Sequence, residues 1–156
     1  MIDTRTLVWQ DLALSKKAPA AVQLWLNDNT SLTAKLKQQF SDFSVRVLSQ
    51  QQATPHAHEA SVINTSKTCT IREVALLGNG EVVVFARSII PLSDDTQEIL
   101  DIGSKPLGEI LFNNPDIKRG AMQITQIGHI WGRRSTFTIG QTSLLVSEFF
   151  MEKLYA

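Results

Sequence analysis

Thr68-Cys69-Thr70-Ile71-Arg72-Glu73-Val74-Ala75-Leu76-Leu77-Gly78-Asn79-Gly80-Glu81-Val82-Val83-Val84-Phe85-Ala86-Arg87-Ser88-Ile89-Ile90-Pro91 is the stretch on which the fold turns. Thr68–Leu77 and Glu81–Ile90 are rich in β-branched and other apolar residues. Between them the Asn-Gly pair supplies two positions that accept positive φ, so the stretch reads as a β-hairpin. Pro91 cannot donate to a ladder and ends the second strand.

Working outward toward the N-terminus, Phe43, Val45 and Val47 alternate with Ser44 and Arg46, which predicts a strand with one covered face. Before it, Pro19 followed by Ala20–Leu26 opens a short helix. After the polar interruption Asn27-Asp28-Asn29-Thr30, Ser31 caps a second, with Leu32, Leu36 and Phe40 along one stripe. Residues 49–66 are polar and turn-rich and read as a mobile loop. Toward the C-terminus, Ser93-Asp94-Asp95 and Pro106 start short helices, the second stopped at Asn113-Asn114-Pro115. Strands are then expected over Ala121–Ile130, Ser135–Ile139 and Ser143–Met151. The simplest assembly is an α+β domain, a largely antiparallel sheet covered by helices.

Composition narrows the function classes. The 156 residues fit one domain, 43% are hydrophobic and 19% charged, and the 15 basic residues equal the 15 acidic ones without long runs of either sign. Neither a duplex-binding surface nor an acidic tail follows from that balance, so an anionic ligand has to be met by a local site. The longest apolar run, Val82–Ala86, is far short of the roughly 20 residues that span a bilayer, and no export signal is read at Met1–Arg5. The single Cys69 is compatible with a reducing compartment, and a cytoplasmic location is expected.

Several residues could carry chemistry. Arg72 shares a strand face with Thr70, Val74 and Leu76, and Glu148 sits between Val146 and Phe150 on one face of the last strand. Charges inserted into apolar faces form either a buried structural pair or two sides of a ligand cavity. For Arg72 an ordinary edge position is equally open, because Ile71 and Ala75 define an alternative inner face. Periodicity does not choose. Arg87 stands with Phe85 and Ile89, and Trp131-Gly132-Arg133-Arg134 supplies cations beside an aromatic, either near an anion site or as a strand corner with solvated arginines. His56-Ala57-His58 lacks the accompanying ligands of a structural zinc site and His129 is isolated, so the pair reads as loop surface and no metal is expected.

Five segments, taken in order, carry a resemblance. They are Ile71-Arg72-Glu73, Ala86-Arg87-Ser88-Ile89-Ile90-Pro91, Gly103-Ser104-Lys105-Pro106-Leu107-Gly108, Trp131-Gly132-Arg133-Arg134-Ser135 and Leu144-Leu145-Val146-Ser147-Glu148-Phe149-Phe150. With the preceding helices they cover almost the whole chain, which resembles the chorismate lyases, or chorismate pyruvate-lyases, of ubiquinone biosynthesis.

The resemblance implies one chorismate lyase-like domain over residues 1–156, built on a six-stranded antiparallel sheet with helical flaps enclosing an internal ligand site. It also implies cofactor-free conversion of chorismate into 4-hydroxybenzoate and pyruvate. Those small molecules would be its partners, with no nucleic acid, no stable membrane insertion and a monomeric protein. By similarity, Arg72 holds the aromatic carboxylate. Glu148 lies near the hydroxyl-bearing end of the product as an orienter and proton-transfer group, so Arg72 and Glu148 are the expected catalytic pair. Leu107 contributes a flap backbone contact. Leu32, where the family commonly has methionine, keeps a backbone N–H contact while altering the apolar packing over the ligand. Arg87 resembles the arginine of a secondary internal site. The competing reading is a noncatalytic aromatic-acid sensor of related fold, and behind it a structural interaction module. Release of pyruvate separates the enzyme from both.

Overall fold

The computed structural model describes residues 2–28, 30–100 and 107–155. In chain order the elements are β1 (Gln10–Asp11), α1 (Ala20–Leu26), α2 (Leu32–Gln39), β2 (Phe43–Ala53), α3 (Ala57–Ile63), β3 (Cys69–Gly78) and β4 (Glu81–Pro91). They continue with α4 (Gln97–Leu100), α5 (Leu107–Asn113), β5 (Lys118–Ile127), β6 (Ile130–Ile139) and β7 (Thr142–Phe150). The strands form one sheet in the order β1-β5-β6-β7-β4-β3-β2, and each neighbouring pair is antiparallel.

The hairpin expected from Gly78-Asn79-Gly80 is present as β3–β4, with Asn79 at φ 52° and Gly80 at φ 83°. Ser31 caps α2 by accepting from the Ala34 N–H at 3.2 Å. The sheet has seven strands among the described residues where six were expected. The seventh, β1, is a two-residue pairing of Gln10 and Asp11 with Ile124 and Gln123, too short to show alternation.

The mobile loop expected over residues 49–66 is also corrected. Residues 49–53 continue β2 past a bulge between Val47 and Ser49, and Ala57–Ile63 forms α3. Among the described strands β2 is at the edge of the sheet, with β3 as its one ladder partner. Its Gln50-Gln51-Gln52 run therefore needs no apolar side chains, because the ladder is made by backbone groups. Gly128, at φ 57°, turns the chain earlier than expected, so Ile130 begins β6 rather than ending β5.

The sheet is covered on both faces. Against one lie α1, α2 and α5, whose Trp25, Leu26, Leu36 and Leu111 pack with Val74, Leu76, Phe137 and Phe150 of the strands. Against the other lie α3 and the N-terminal segment, where Ile63 meets Ile71, Ile89 and Leu145, and Trp9 packs on Phe149 at 6.0 Å between ring centroids. Because β6 is sandwiched, Trp131 through Ser135 are buried without interruption. Gly132 is required there: a Cβ would stand 2.7 Å from the Phe149 ring. Among the described residues no helix is long and apolar enough to cross a membrane.

Candidate active site

Alternation places Arg72 with Val74 and Leu76 on the face beneath α2 and α5, and places Glu148 with Val146 and Phe150 on the same face. The register then brings the two together. Val74 pairs with Ala86 and Ala86 with Glu148, so the carboxylate lies two strands across and one side-chain row along from Arg72. A cleft opens over this patch. Its floor is Arg72, Val74, Leu76, Ala86, Ser88, Val146 and Glu148, and its roof is Leu32 and Thr33 of α2 with Leu107, Leu111 and Phe112 of α5. Val45, Phe137 and Arg119 line its remaining sides. α2 and α5 touch each other across it. Its free volume is about 40 Å³, against the several hundred Å³ of typical small-molecule sites, so a ring-sized ligand requires the two helices to part.

The charges of the cleft are held from behind. Arg72 is 3% exposed, its Nη1 donates to Gln50 Oε1 at 3.0 Å, and burial pulls its pKa below the ordinary arginine value. Glu148 Oε1 accepts from Arg133 Nε at 3.0 Å. Arg133, 1% exposed, also donates through Nη1 to the carbonyls of Trp25 and Asp28, at and just past the C-terminal end of α1 where carbonyls lack helical partners. One guanidinium thus ties β6, β7 and α1 together and fixes the direction of the carboxylate. Leu32 is the first residue of α2, a position whose N–H has no acceptor within its own helix, and Leu107 is the first described residue of α5.

The four residues expected to bind substrate, Leu32, Arg72, Leu107 and Glu148, therefore meet at one cleft. The rest of the expected flap, residues 103–106, lies outside the described residues. Arg87 does not reach this cleft. Its alternation puts it on the opposite face, where Nε and Nη2 donate to Glu59 at 2.7 and 2.9 Å and Nη1 to Glu73 at 3.2 Å. The strand-corner reading of Trp131-Gly132-Arg133-Arg134, with solvated arginines, is overturned. Both arginines are buried on opposite faces of β6, Arg134 over the Trp9 ring at 4.5 Å with its pKa pulled by burial to about 10.

The loop-surface reading of His56 and His58 is overturned too. Arg134 Nη1 donates to His58 Nδ1 at 2.9 Å, which leaves His58 Nε2–H to donate to the Thr4 carbonyl at 2.8 Å, while His56 Nε2 lies 3.1 Å from Thr4 Oγ1. Among the described residues no group of three or more His, Cys, Asp or Glu side chains is arranged to hold a metal ion.

Two residues escaped the sequence. Glu59 carried a weak signal, standing three residues after His56, whose backbone N–H it accepts at 2.9 Å in the manner of a helix cap. Arg119 carried none, because it follows Lys118 at the ragged start of a strand and only the tertiary fold turns it into the cleft. The larger surface groove, about 820 Å³ at the β1–β5 edge, has its charged side chains Lys17 and Glu152, and His129, exposed and Tyr155 half-buried, and lies away from these buried charges.

Comparison with known proteins agrees with the geometry. The model of the chorismate lyase family matches residues 4–156. The probable chorismate pyruvate-lyase of Aromatoleum aromaticum is 35% identical over 160 residues, covering 86% of this chain and 86% of its own. That of Pseudoalteromonas atlantica is 32% identical, covering 94% of this chain and 88% of its own. Among solved structures, a possible transcriptional regulator, YydK, from Bacillus subtilis superposes with a TM-score of 0.51 at 13% identity over 73% of this chain and 60% of its own. A gene product of Staphylococcus aureus does so at 0.53 and 13%, over 81% of this chain and 91% of its own. At those identities the two structures share the fold alone. The family match, by contrast, runs through every strand that floors the cleft and both helices that roof it, and the chain belongs to the chorismate lyase family.

Proposed function

We propose that this chain is a chorismate pyruvate-lyase that converts chorismate into 4-hydroxybenzoate and pyruvate, supplying the aromatic precursor of ubiquinone. The observation that carries the reading is the pairing, within one apolar cleft, of a buried arginine with a carboxylate held by a second buried arginine. A para-substituted aromatic acid has a matching shape: a carboxylate for the planar fork of Arg72, a flat ring for Val74, Leu76, Ala86 and Val146, and a hydroxyl for Glu148.

The chemistry asks little of the protein beyond binding and orientation. The proton on ring carbon 4 leaves, its electron pair enters the ring, and the ether bond at ring carbon 3 breaks with its pair on the enolpyruvyl oxygen. The methylene carbon of the released enolate then takes a proton to give pyruvate. Aromatisation drives the step and no electrons are gained or lost overall, so a redox cofactor has no part in it. In this reading Glu148 orients the carbon 4 hydroxyl and receives or relays the adjacent proton. Closure of α2 and α5 over the ring would exclude water and strengthen the ionic contacts.

The test is incubation of the purified protein with chorismate while both products are followed, 4-hydroxybenzoate by absorbance and pyruvate by a coupled reduction. Equimolar formation of the two is expected. Binding of 4-hydroxybenzoate without release of pyruvate would indicate the sensor instead, and absence of both would remove the cleft from consideration.

A further inference from the structure

Chorismate carries two carboxylates, and Arg72 can grip only one. We propose that Arg119 receives the second, on the departing enolpyruvyl group, and so is the residue by which the cleft distinguishes substrate from aromatic product; this rests on the chorismate lyase reading above. Arg119 belongs to β5, and its side chain lines the same cleft as Arg72 and Glu148. Its Nε donates to Ser135 Oγ at 3.0 Å, and its Nη2 lies 3.3 Å from Met122 Sδ.

The register places that hydroxyl relative to the anchor. Arg72 pairs with Ser88, Ser88 with Val146 and Val146 with Ser135, so the guanidinium of Arg119 is fastened in the same cross-strand row as Arg72, three strands away. At about 4.8 Å per strand the Ser135 backbone stands roughly 14 Å from that of Arg72, and Arg119, on β5 one strand further out, reaches back to it, so two arginine side chains and a compact dianion between them can span the row. Glu148 occupies the neighbouring row. A ring with its carboxylate on Arg72 and its carbon 4 hydroxyl at Glu148 throws the carbon 3 substituent to one side of that axis, and Arg119 is a cation to the side.

The guanidinium is also braced rather than free to sweep. It lies 5.3 Å from the Phe112 ring of α5 and 5.4 Å from the Phe137 ring of β6. Burial, and then Arg133, pull its pKa below the ordinary value, Glu148 and Asp28 offset that in part, and an arriving carboxylate would favour the charged form further. Phe112 lies on a roof helix, so the same contact that holds Arg119 couples it to closure.

Because 4-hydroxybenzoate lacks the enolpyruvyl carboxylate, the assignment separates two measurements on purified Arg119→Gln and Arg119→Lys proteins. For Arg119→Gln, kcat/KM for chorismate should fall at least about thirtyfold, the loss of an enclosed charge-assisted contact, while the Kd for 4-hydroxybenzoate stays within about twofold. Arg119→Lys should recover part of the loss. An unchanged kcat/KM, or equal weakening of chorismate and 4-hydroxybenzoate, overturns the assignment. If the Gln variant does not fold, the Lys variant decides by the same comparison: a several-fold fall confined to chorismate supports the role and an unchanged kcat/KM rejects it. Wild-type protein that releases no pyruvate would instead overturn the lyase reading itself, so the two failures are distinct.

Discussion

At the scale of single residues, the proposed mechanism divides the work between Arg72, for grip, and Glu148, for direction. Replacing Arg72 with Ala removes a buried guanidinium, and binding of both chorismate and 4-hydroxybenzoate should weaken by about 2 to 5 kcal/mol, measured by steady-state kinetics and titration of the product. Arg72→Lys should restore only part, since an ammonium lacks the planar fork. Glu148→Gln keeps size and hydrogen-bonding reach but loses the charge that faces Arg133 at 3.0 Å. Turnover should fall while the fold and some product binding persist. Normal turnover would show that ionisation of Glu148 is not needed. The alternation around these two residues was legible in the sequence as a pair of open alternatives. What chose between them was the register, a long-range property to which no single strand bears witness.

At the scale of elements, α3 is held to the sheet by charge as much as by Ile63. Glu59 is 1% exposed, and although burial pushes its pKa up, the ion pair with Arg87 and the His56 N–H together hold it below the usual carboxylate range. A depressed folded-state pKa means that the contribution is complete above the unfolded value of about 4.3 and is lost as pH falls through the lower, folded one. Glu59→Gln should cost about 1.5 to 3 kcal/mol at neutral pH by leaving buried Arg87 with Glu73 as its remaining carboxylate partner, and the gap to wild type should narrow in acid; denaturant titrations at several pH values measure it. His56, whose pKa is lowered chiefly by burial, adds to acid sensitivity in the same sense, since its neutral form is the one the fold favours. The sequence showed α1, α2 and the β3–β4 hairpin because their caps and turn residues are local. It hid α3 and the extension of β2 because polar side chains there answer to partners remote in the chain: Arg87 for Glu59, the β3 backbone for Gln50–Gln52.

At the scale of the whole molecule, the two faces of the sheet differ, one bearing the cleft and the other bolted by ion pairs and aromatic stacking. Since the proposed chemistry is driven by aromatisation, chelator-treated protein should keep its activity; loss restored by one stoichiometric metal would reopen His56, His58 and His129 as ligands. Saturation with 4-hydroxybenzoate at a hundred times its Kd should stabilise the protein by about 2.7 kcal/mol in thermal melts, and that gain should largely vanish in Arg72→Ala. The two faces are not independent, because Gly132, Arg133 and Arg134 serve both within three consecutive positions. Suppose β6 were threaded one place out of step during folding. Hydrophobic patterning would raise no objection, for residues 131–135 are buried on either side. Yet one shift drives Trp131 into the Phe149 ring where only glycine fits, and the other does the same with Arg133; either way a guanidinium is left facing the wrong compartment and one anionic or imidazole partner is abandoned. Size and charge thus proofread an alignment that oiliness alone would let pass, and a substitution at any of the three should be felt as misassembly before it is felt as lost affinity.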